Sequence, residues 1–109
     1  LKKALSFKRL FKEGRYYRSR DFSLRVLEND LGVSRLGISI QSKIFPRAVQ
    51  RNKVKRLIRE AFRKNKYRLN NDYDIIIRPK SAEVSKLEYI KIEERISGLF
   101  SIAKILRQE

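Results

Sequence analysis

Between Arg47 and Lys66 the chain carries nine Lys or Arg residues and one acid, Glu60. That is a net charge of +8 over twenty residues, half of the +16 of the whole chain. Arg side chains fork onto phosphate oxygens and Lys side chains add mobile point charges, so this stretch suits recognition of a polyanion. Its candidate contacts are Arg51, Asn52, Lys53, Lys55, Arg56, Arg59 and Arg63, with Asn52 adding directional hydrogen bonds to a base, sugar or phosphate. An isolated Lys or Arg is usually just solvated. An array this dense repels itself within about a Debye length, roughly 10 Å at 0.1 M salt, and calls for an external partner. If about six charges meet phosphates together, affinity falls steeply with salt through counterion release.

Other chemistry has less support. Phe7, Phe11 and Phe22 are candidates to line a groove beside a sheet, and Tyr16 or Tyr17 offers a ring with a hydroxyl. Exposed rings stack on unpaired bases, whereas a regular duplex conceals those faces. Core packing is the ordinary role of any one Phe. Arg25 falls on the strand face opposite Phe22, Leu24 and Val26, where it extends a phosphate-contact surface or is simply exposed. Asp72 and Asp74 share strand parity and suit a hydrated magnesium ion, although a local salt bridge is the commoner fate of two such acids. Asp21 and Glu13 are further acids whose spacing shows no metal site. The chain has no histidine, so Ser6, Ser39 and Ser42 lack the base of a serine-hydrolase triad. Without cysteine there are no disulfides and no thiolate chemistry. The glycine-rich phosphate loop ending in Lys-Ser or Lys-Thr is also missing.

These residues need elements to position them. Phe7, Leu10 and Phe11 fall at i, i+3 and i+4, predicting a short helix with Ser6 as its cap and Gly14 at its end. Phe22, Leu24 and Val26 alternate with Ser23 and Arg25, as in a strand with two different faces. Asn29-Asp30-Leu31-Gly32 reads as a turn; Leu36, Ile38 and Ile40 then alternate with Gly37 and Ser39. Pro46 is placed to open the basic helix, on which Val54, Leu57, Ile58, Ala61 and Phe62 form an apolar stripe. Asn52, Arg56, Arg59 and Arg63 recur on its other side. Tyr73 to Ile77 read as a buried strand stopped by Arg78-Pro79. Ser85 and Glu88 fit a capping box for a last helix. Its packing candidates are Leu87, Ile90, Ile96, Leu99 and Phe100, and Ile102, Ala103 and Leu106 prolong it. With a short strand near Tyr16 and Tyr17 the order is α-β-β-β-α-β-α. A sheet covered on one side by helices accommodates that order. The helix between Ile40 and Tyr73 is a crossover whose hand periodicity does not give.

At 109 residues the chain suits one domain, residues 1–109, with a core of its own. No apolar run approaches the roughly 18 residues of a membrane span, and no secretory signal is evident. A soluble cytoplasmic protein is the simplest expectation.

Several ordered segments now carry a resemblance. Arg51-Asn52-Lys53-Val54-Lys55-Arg56-Leu57-Ile58-Arg59-Glu60-Ala61-Phe62-Arg63 follows the Arg-Asn-Arg motif of the bacterial ribonuclease P protein family, with Lys53 at the third position. Leu1-Lys2-Lys3, Phe7 to Gly14, Arg35 to Ile40, Ala48-Val49 and Tyr73 to Pro79 match in order, as does the terminal helix. The resemblance spans essentially the whole chain. It implies a compact α/β (α+β) two-layer sandwich similar to domain 2 of ribosomal protein S5, with a left-handed crossover against the usual preference. It also implies a protein cofactor of a ribonucleoprotein that removes the 5′ leader from precursor tRNA. The partners it implies are ribonuclease P RNA and precursor tRNA, with Mg2+ bound mainly by that catalytic RNA. No membrane and no obligate protein partner are expected, nor is autonomous nuclease activity.

Carried over by residue, the resemblance puts Arg51, Asn52, Lys53, Arg56 and Arg59 on a surface near the catalytic RNA. Phe7 and Phe11 fall at aromatic positions of a central cleft that holds the single-stranded leader. Arg25 stands where a relative can carry Tyr. Lys53 lacks the planar fork of Arg. Gln41-Ser42-Lys43-Ile44-Phe45-Pro46 departs from a Ser-Lys-Lys and glycine-turn pattern, leaving Lys43 as the charge at the cleft edge. The alternatives are a ribosomal or general RNA-binding protein without a nuclease role, and a DNA-architectural protein. The leader-reading scheme differs from both in predicting a gain in affinity that saturates after several unpaired leader nucleotides.

Overall fold

The computed structural model describes the backbone of residues 4–107 and the side chains of residues 7–107; Leu1-Lys2-Lys3 lies outside the described residues. The elements run α1 (Ala4–Glu13), β1 (Arg15–Arg18), β2 (Phe22–Glu28), β3 (Arg35–Ile38), α2 (Ala48–Asn65), β4 (Tyr73–Pro79) and α3 (Tyr89–Ile102), with 3-10 turns at Lys66–Arg68 and Ala82–Lys86. This is the mixed α/β order expected, including the short strand at Tyr16 and Tyr17.

The four strands form one sheet in the order β1-β2-β4-β3. β1 pairs antiparallel with β2 and β2 antiparallel with β4, whereas β3 runs parallel to β4. Parallel neighbours need a long connection, and α2 supplies it. The Asn29–Gly32 turn before β3 is an Asx turn, with Leu31 N donating to Asn29 Oδ1 at 3.0 Å and Gly32 at φ +77°.

Strand alternation divides the sheet into two unlike faces. Phe22, Leu24, Val26, Ile75 and Ile77 are buried in the main core with Val54, Ile58, Ala61 and Phe62 of α2 and Ile92, Ile96, Leu99 and Phe100 of α3. Each fully buried side chain of this size contributes about 1.5–3 kcal/mol, so the α2 stripe fixes which side of that helix meets water. Ser23, Arg25, Asp74, Ile76 and Gly37 have the opposite parity. α1 crosses this second face, where Leu10 and Ile76 are buried. Helices therefore lie on both sides of the sheet rather than on one.

Several predicted helix ends move. α1 begins at Ala4, so Ser6 lies inside it and does not cap it. Gly14 does end it: its N–H donates to Leu10 O at 2.9 Å, and a Cβ there would come within 2.5 Å of that same carbonyl. Pro46 precedes α2 by two residues; Arg47 is the N-cap, and its N–H donates to Gln50 Oε1 at 3.3 Å. Ser85 caps nothing, because its hydroxyl donates to Ala82 O within a 3-10 turn that ends before α3. That turn is capped instead by Ser81, which accepts from Glu83 N at 3.2 Å. On α3, Ile90 is exposed and the core position is Ile92. α3 stops at Ile102, Lys104 takes a positive φ of 60°, and Ile105 turns into the core while Leu106 bridges to Leu69. Among the described residues, no helix is long and apolar enough to cross a membrane.

Candidate nucleic-acid interface

Burial of Val54, Ile58, Ala61 and Phe62 turns Asn52, Lys53, Arg56, Arg59 and Arg63 to solvent, with Arg51 and Lys55 half-buried. The basic residues then separate by what they touch. Arg51 Nη1 donates to Phe45 O at 2.8 Å and Pro46 O at 3.0 Å, clamping the segment that enters α2. Lys53 Nζ donates to Ser85 O at 3.0 Å and ties α2 to the turn before α3. Arg63 pairs with Glu60, the only acid of the stretch, and that hydrogen bond holds its guanidinium above the ordinary value. Asn52, Lys55, Arg56 and Arg59 have no side-chain hydrogen bond or ion pair among the described residues. The charge of Lys55, Arg56 and Arg59 is left for an outside anion, with the Asn52 amide beside it.

The second surface is the sheet face beneath α1. Phe11 sits one helical turn after half-buried Phe7 and is 42 % exposed at the rim. β1 places Tyr16, 47 % exposed, directly opposite Arg25 of β2. The Arg25 guanidinium lies 4.9 Å from the Phe11 ring centre and 4.7 Å from that of Tyr16, and its Nη1 donates to Phe11 O at 3.4 Å. Contacts of this kind contribute about 0.5–1 kcal/mol each at exposed sites. They hold two rings and a cation in one unit. Across the sheet the row continues to Ile76 and Gly37, the latter with no side chain to raise the floor. The next row carries Arg18, Ser23 and Arg78, and Arg78 Nε donates to Ser39 Oγ at 3.3 Å.

The sequence places Phe22 in this cleft; the structure removes it. Its ring is 0 % exposed on the opposite face, packed beneath α2 and α3, and offers no surface to a base. Lys43 is exposed in the turn after β3 and has no contact with the Phe11–Arg25–Tyr16 unit. Tyr16 is the cleft aromatic that sequence left undecided against Tyr17. Hairpin register separates them, since Tyr17 opposes Leu24 and packs against the core. Arg18 and Arg78 are cleft residues that the sequence reading missed. Only pairing of β1 and β4 with β2 reveals them.

Three of the four candidate acids are engaged in structure; the Asp72 side chain makes no hydrogen bond or ion pair among the described residues. Asp74 accepts from Arg35 Nε at 2.8 Å, Arg35 Nη2 at 2.7 Å and Asn29 Nδ2 at 2.9 Å. The Arg35 hydrogen bonds hold its carboxyl below the usual carboxylate range, with Asn29 helping against the effect of burial. Asp21 pairs with Arg95 and Glu13 with Arg9. Among the described residues no group of three His, Cys, Asp or Glu side chains is placed to hold a metal ion.

The sequence profile of the family described as Ribonuclease P matches residues 1–104. The chain belongs to the ribonuclease P protein family. The ribonuclease P protein component of Natranaerobius thermophilus is 35% identical over 108 residues, covering 99% of this chain and 92% of that protein. The ribonuclease P protein structure from Staphylococcus aureus superimposes with a TM-score of 0.86 at 31% identity, over 98% of this chain and 96% of that one. That of Thermotoga maritima, solved with 1-(4-fluorophenyl)-2-thiourea, gives 0.83 at 34% identity, over 91% and 94%. Membership in the ribonuclease P family carries the role of protein component in an RNA–protein enzyme of tRNA processing.

Proposed function

We propose that this chain binds the catalytic RNA of ribonuclease P through the exposed face of α2 and holds the 5′ leader of precursor tRNA in the cleft between α1 and the sheet. The observation that carries the reading is the Phe11–Arg25–Tyr16 unit. Ring faces and a guanidinium on an open sheet face suit an unpaired nucleotide, which offers both a base to stack and a phosphate to pair; a duplex offers only the phosphate. Lys55, Arg56 and Arg59 supply the complementary docking charge for the folded RNA, and Asn52 adds directional hydrogen bonds. With the leader extended at one surface and the RNA bound at the other, binding energy is used to align the scissile phosphate.

The cut itself belongs, in this proposal, to the RNA. The chain has no histidine or cysteine. Asp74 and Asp21 are tied to Arg35 and Arg95, and Glu13 to Arg9. This donor set does not fit a metal site built from protein alone, so Mg2+ is assigned mainly to the RNA. Bound there, Mg2+ supplies charge stabilisation at the phosphate and lowers the pKa of an attacking water. Products are mature tRNA with a 5′-phosphate and a leader ending in a 3′-hydroxyl. The protein's share is to bind, orient and screen phosphate repulsion, which matters most when magnesium is scarce.

The test is multiple-turnover cleavage of precursor tRNA by the cognate catalytic RNA, with and without this chain, at low Mg2+ and with leaders of increasing length. Stimulation at the mature 5′ end that grows with the first few leader nucleotides and then saturates is expected. Equal RNA affinity for all leader lengths, with no stimulation, would instead identify a general RNA-binding protein.

A further inference from the structure

The exposed stripe of α2 does not stop where the helix does. Arg59, Arg63 and Tyr67 follow at four-residue spacing, because the 3-10 turn Lys66–Arg68 continues directly from α2. Tyr67 is 80 % exposed, the most open of the large hydrophobic side chains among the described residues. Its hydroxyl makes no hydrogen bond there, and no cation stacks on its ring. Phe11 and Tyr16, the other exposed aromatics, hold Arg25 between them; Tyr67 presents its ring to solvent.

The surroundings favour a nucleotide. Tyr67 lines an open depression of about 360 Å³ together with Lys66, Asn70, Asn71, Asp72 and Arg107. Asn70 is held by Lys104 O and by the Tyr73 hydroxyl, and Arg107 Nε donates to Leu69 O, so the floor is rigid. Its lining carries two cations, Lys66 and Arg107, and one acid, Asp72. Such a volume takes a nucleobase with room to spare. From Asn52 to Tyr67 the stripe runs about 23 Å at the usual helical rises, long enough to follow several successive phosphates.

We infer that Tyr67 extends the α2 surface and stacks on an unpaired nucleobase of the catalytic RNA, with Lys66 and Arg107 beside its phosphate. This rests on the proposed reading of α2 as the face that binds that RNA. Charge along the stripe sets the approach; the ring at its end fixes how far along the RNA the helix sits.

The experiment measures binding of the full chain to the ribonuclease P RNA alone, and to precursor tRNA alone, across a salt series. Variants are Tyr67→Ala, Tyr67→Phe and Arg59→Ala. Stacking predicts that Tyr67→Ala weakens binding to the catalytic RNA by about 5- to 100-fold, with the salt slope unchanged. Tyr67→Phe keeps the ring and stays within about twofold. Arg59→Ala lowers the salt slope by about 0.7–0.9. If Tyr67→Ala binds like the parent while Arg59→Ala loses slope, the extension is wrong and the α2 reading survives. If neither variant changes, the α2 reading falls and takes the extension with it. Weakened binding to precursor tRNA only would assign the ring to the substrate and overturn the partner named here.

Discussion

Replacing Arg25 by Ala tests the leader cleft at the residue that organises it. The guanidinium holds two exposed rings at 4.9 and 4.7 Å and donates to the Phe11 carbonyl. Two exposed cation–π contacts at about 0.5–1 kcal/mol each make the unit worth about 1–2 kcal/mol. Without the guanidinium, Phe11 and Tyr16 lose their shared orientation and a leader phosphate loses its cation. The affinity gained from the leader should therefore fall by about 5- to 30-fold, since 1.4 kcal/mol is a factor of ten. That gain is measured as the ratio of dissociation constants for mature tRNA and precursor tRNA on the assembled ribonucleoprotein. Affinity for the catalytic RNA alone should be unchanged, because Arg25 and α2 lie on opposite faces of the sheet. The melting temperature should fall by about 4–8 °C per kcal/mol lost. Arg25→Lys keeps the charge but not the plane and should fall between parent and Ala. An unchanged leader-dependent gain in a folded Arg25→Ala protein would refute the cleft assignment.

Four further predictions concern the frame and the helix. Asp74→Asn removes charge-assisted bonds to Arg35 and should cost about 1–2 kcal/mol at pH 7, discounted for the partly exposed Arg35. Because the folded Asp74 carboxyl titrates below its ordinary value, this stabilisation is full above about pH 4 and disappears as pH falls through the folded value; denaturant melts of both proteins across acid pH should converge. Gly14→Ala would drive a Cβ to 2.5 Å from Leu10 O, costing about 1–3 kcal/mol in denaturant melts and loosening α1 over the cleft. Arg56→Ala should lower the salt slope of catalytic-RNA binding by about 0.7–0.9 with no change in denaturation midpoint. Lys53→Ala, which loses the bond to Ser85, should shift that midpoint by about 0.5 kcal/mol.

What the sequence disclosed, it disclosed through periodicity. Val54, Ile58 and Ala61 mark one side of α2 so clearly that the solvent side follows without coordinates. Tyr73 to Ile77 can only be a strand buried on both faces, and the structure makes it the inner strand β4. The misplaced helix ends share one cause. Pro46 and Ser85 have the right chemistry for a helix start, but Arg51 bonds the carbonyls of Phe45 and Pro46, and Ser85 lies inside a 3-10 turn that ends before α3. Local side-chain-to-backbone bonds fixed those boundaries. The cleft was legible only in part for a different reason. Phe22 and Arg25 sit on one strand and read equally well as cleft residues, yet three residues along a strand is an odd step, and parity sends their side chains to opposite faces. Tyr16 joins Arg25 through hairpin register, which depends on pairing between strands and leaves no mark in either strand alone.

Two of the three departures that the resemblance implies, Lys53 and Arg25, become intelligible once partners are known. At position 53 the contact is a single donor to a single carbonyl, Ser85 O. A Lys ammonium makes that bond as well as a guanidinium would, so the missing planar fork has no task there. The motif's two-carbonyl contact is made instead by Arg51, whose Nη1 alone donates to Phe45 O and Pro46 O. At position 25 an aromatic residue would stack a third ring on a face where Phe11 and Tyr16 already supply two. Arg in its place brings the positive charge that this row otherwise lacks, since its remaining members are Ile76 and Gly37. The cleft thus keeps both stacking surfaces and gains a fixed cation between them. If the cleft holds the leader as proposed, its grip should be correspondingly more salt-sensitive than that of a cleft with Tyr at this position.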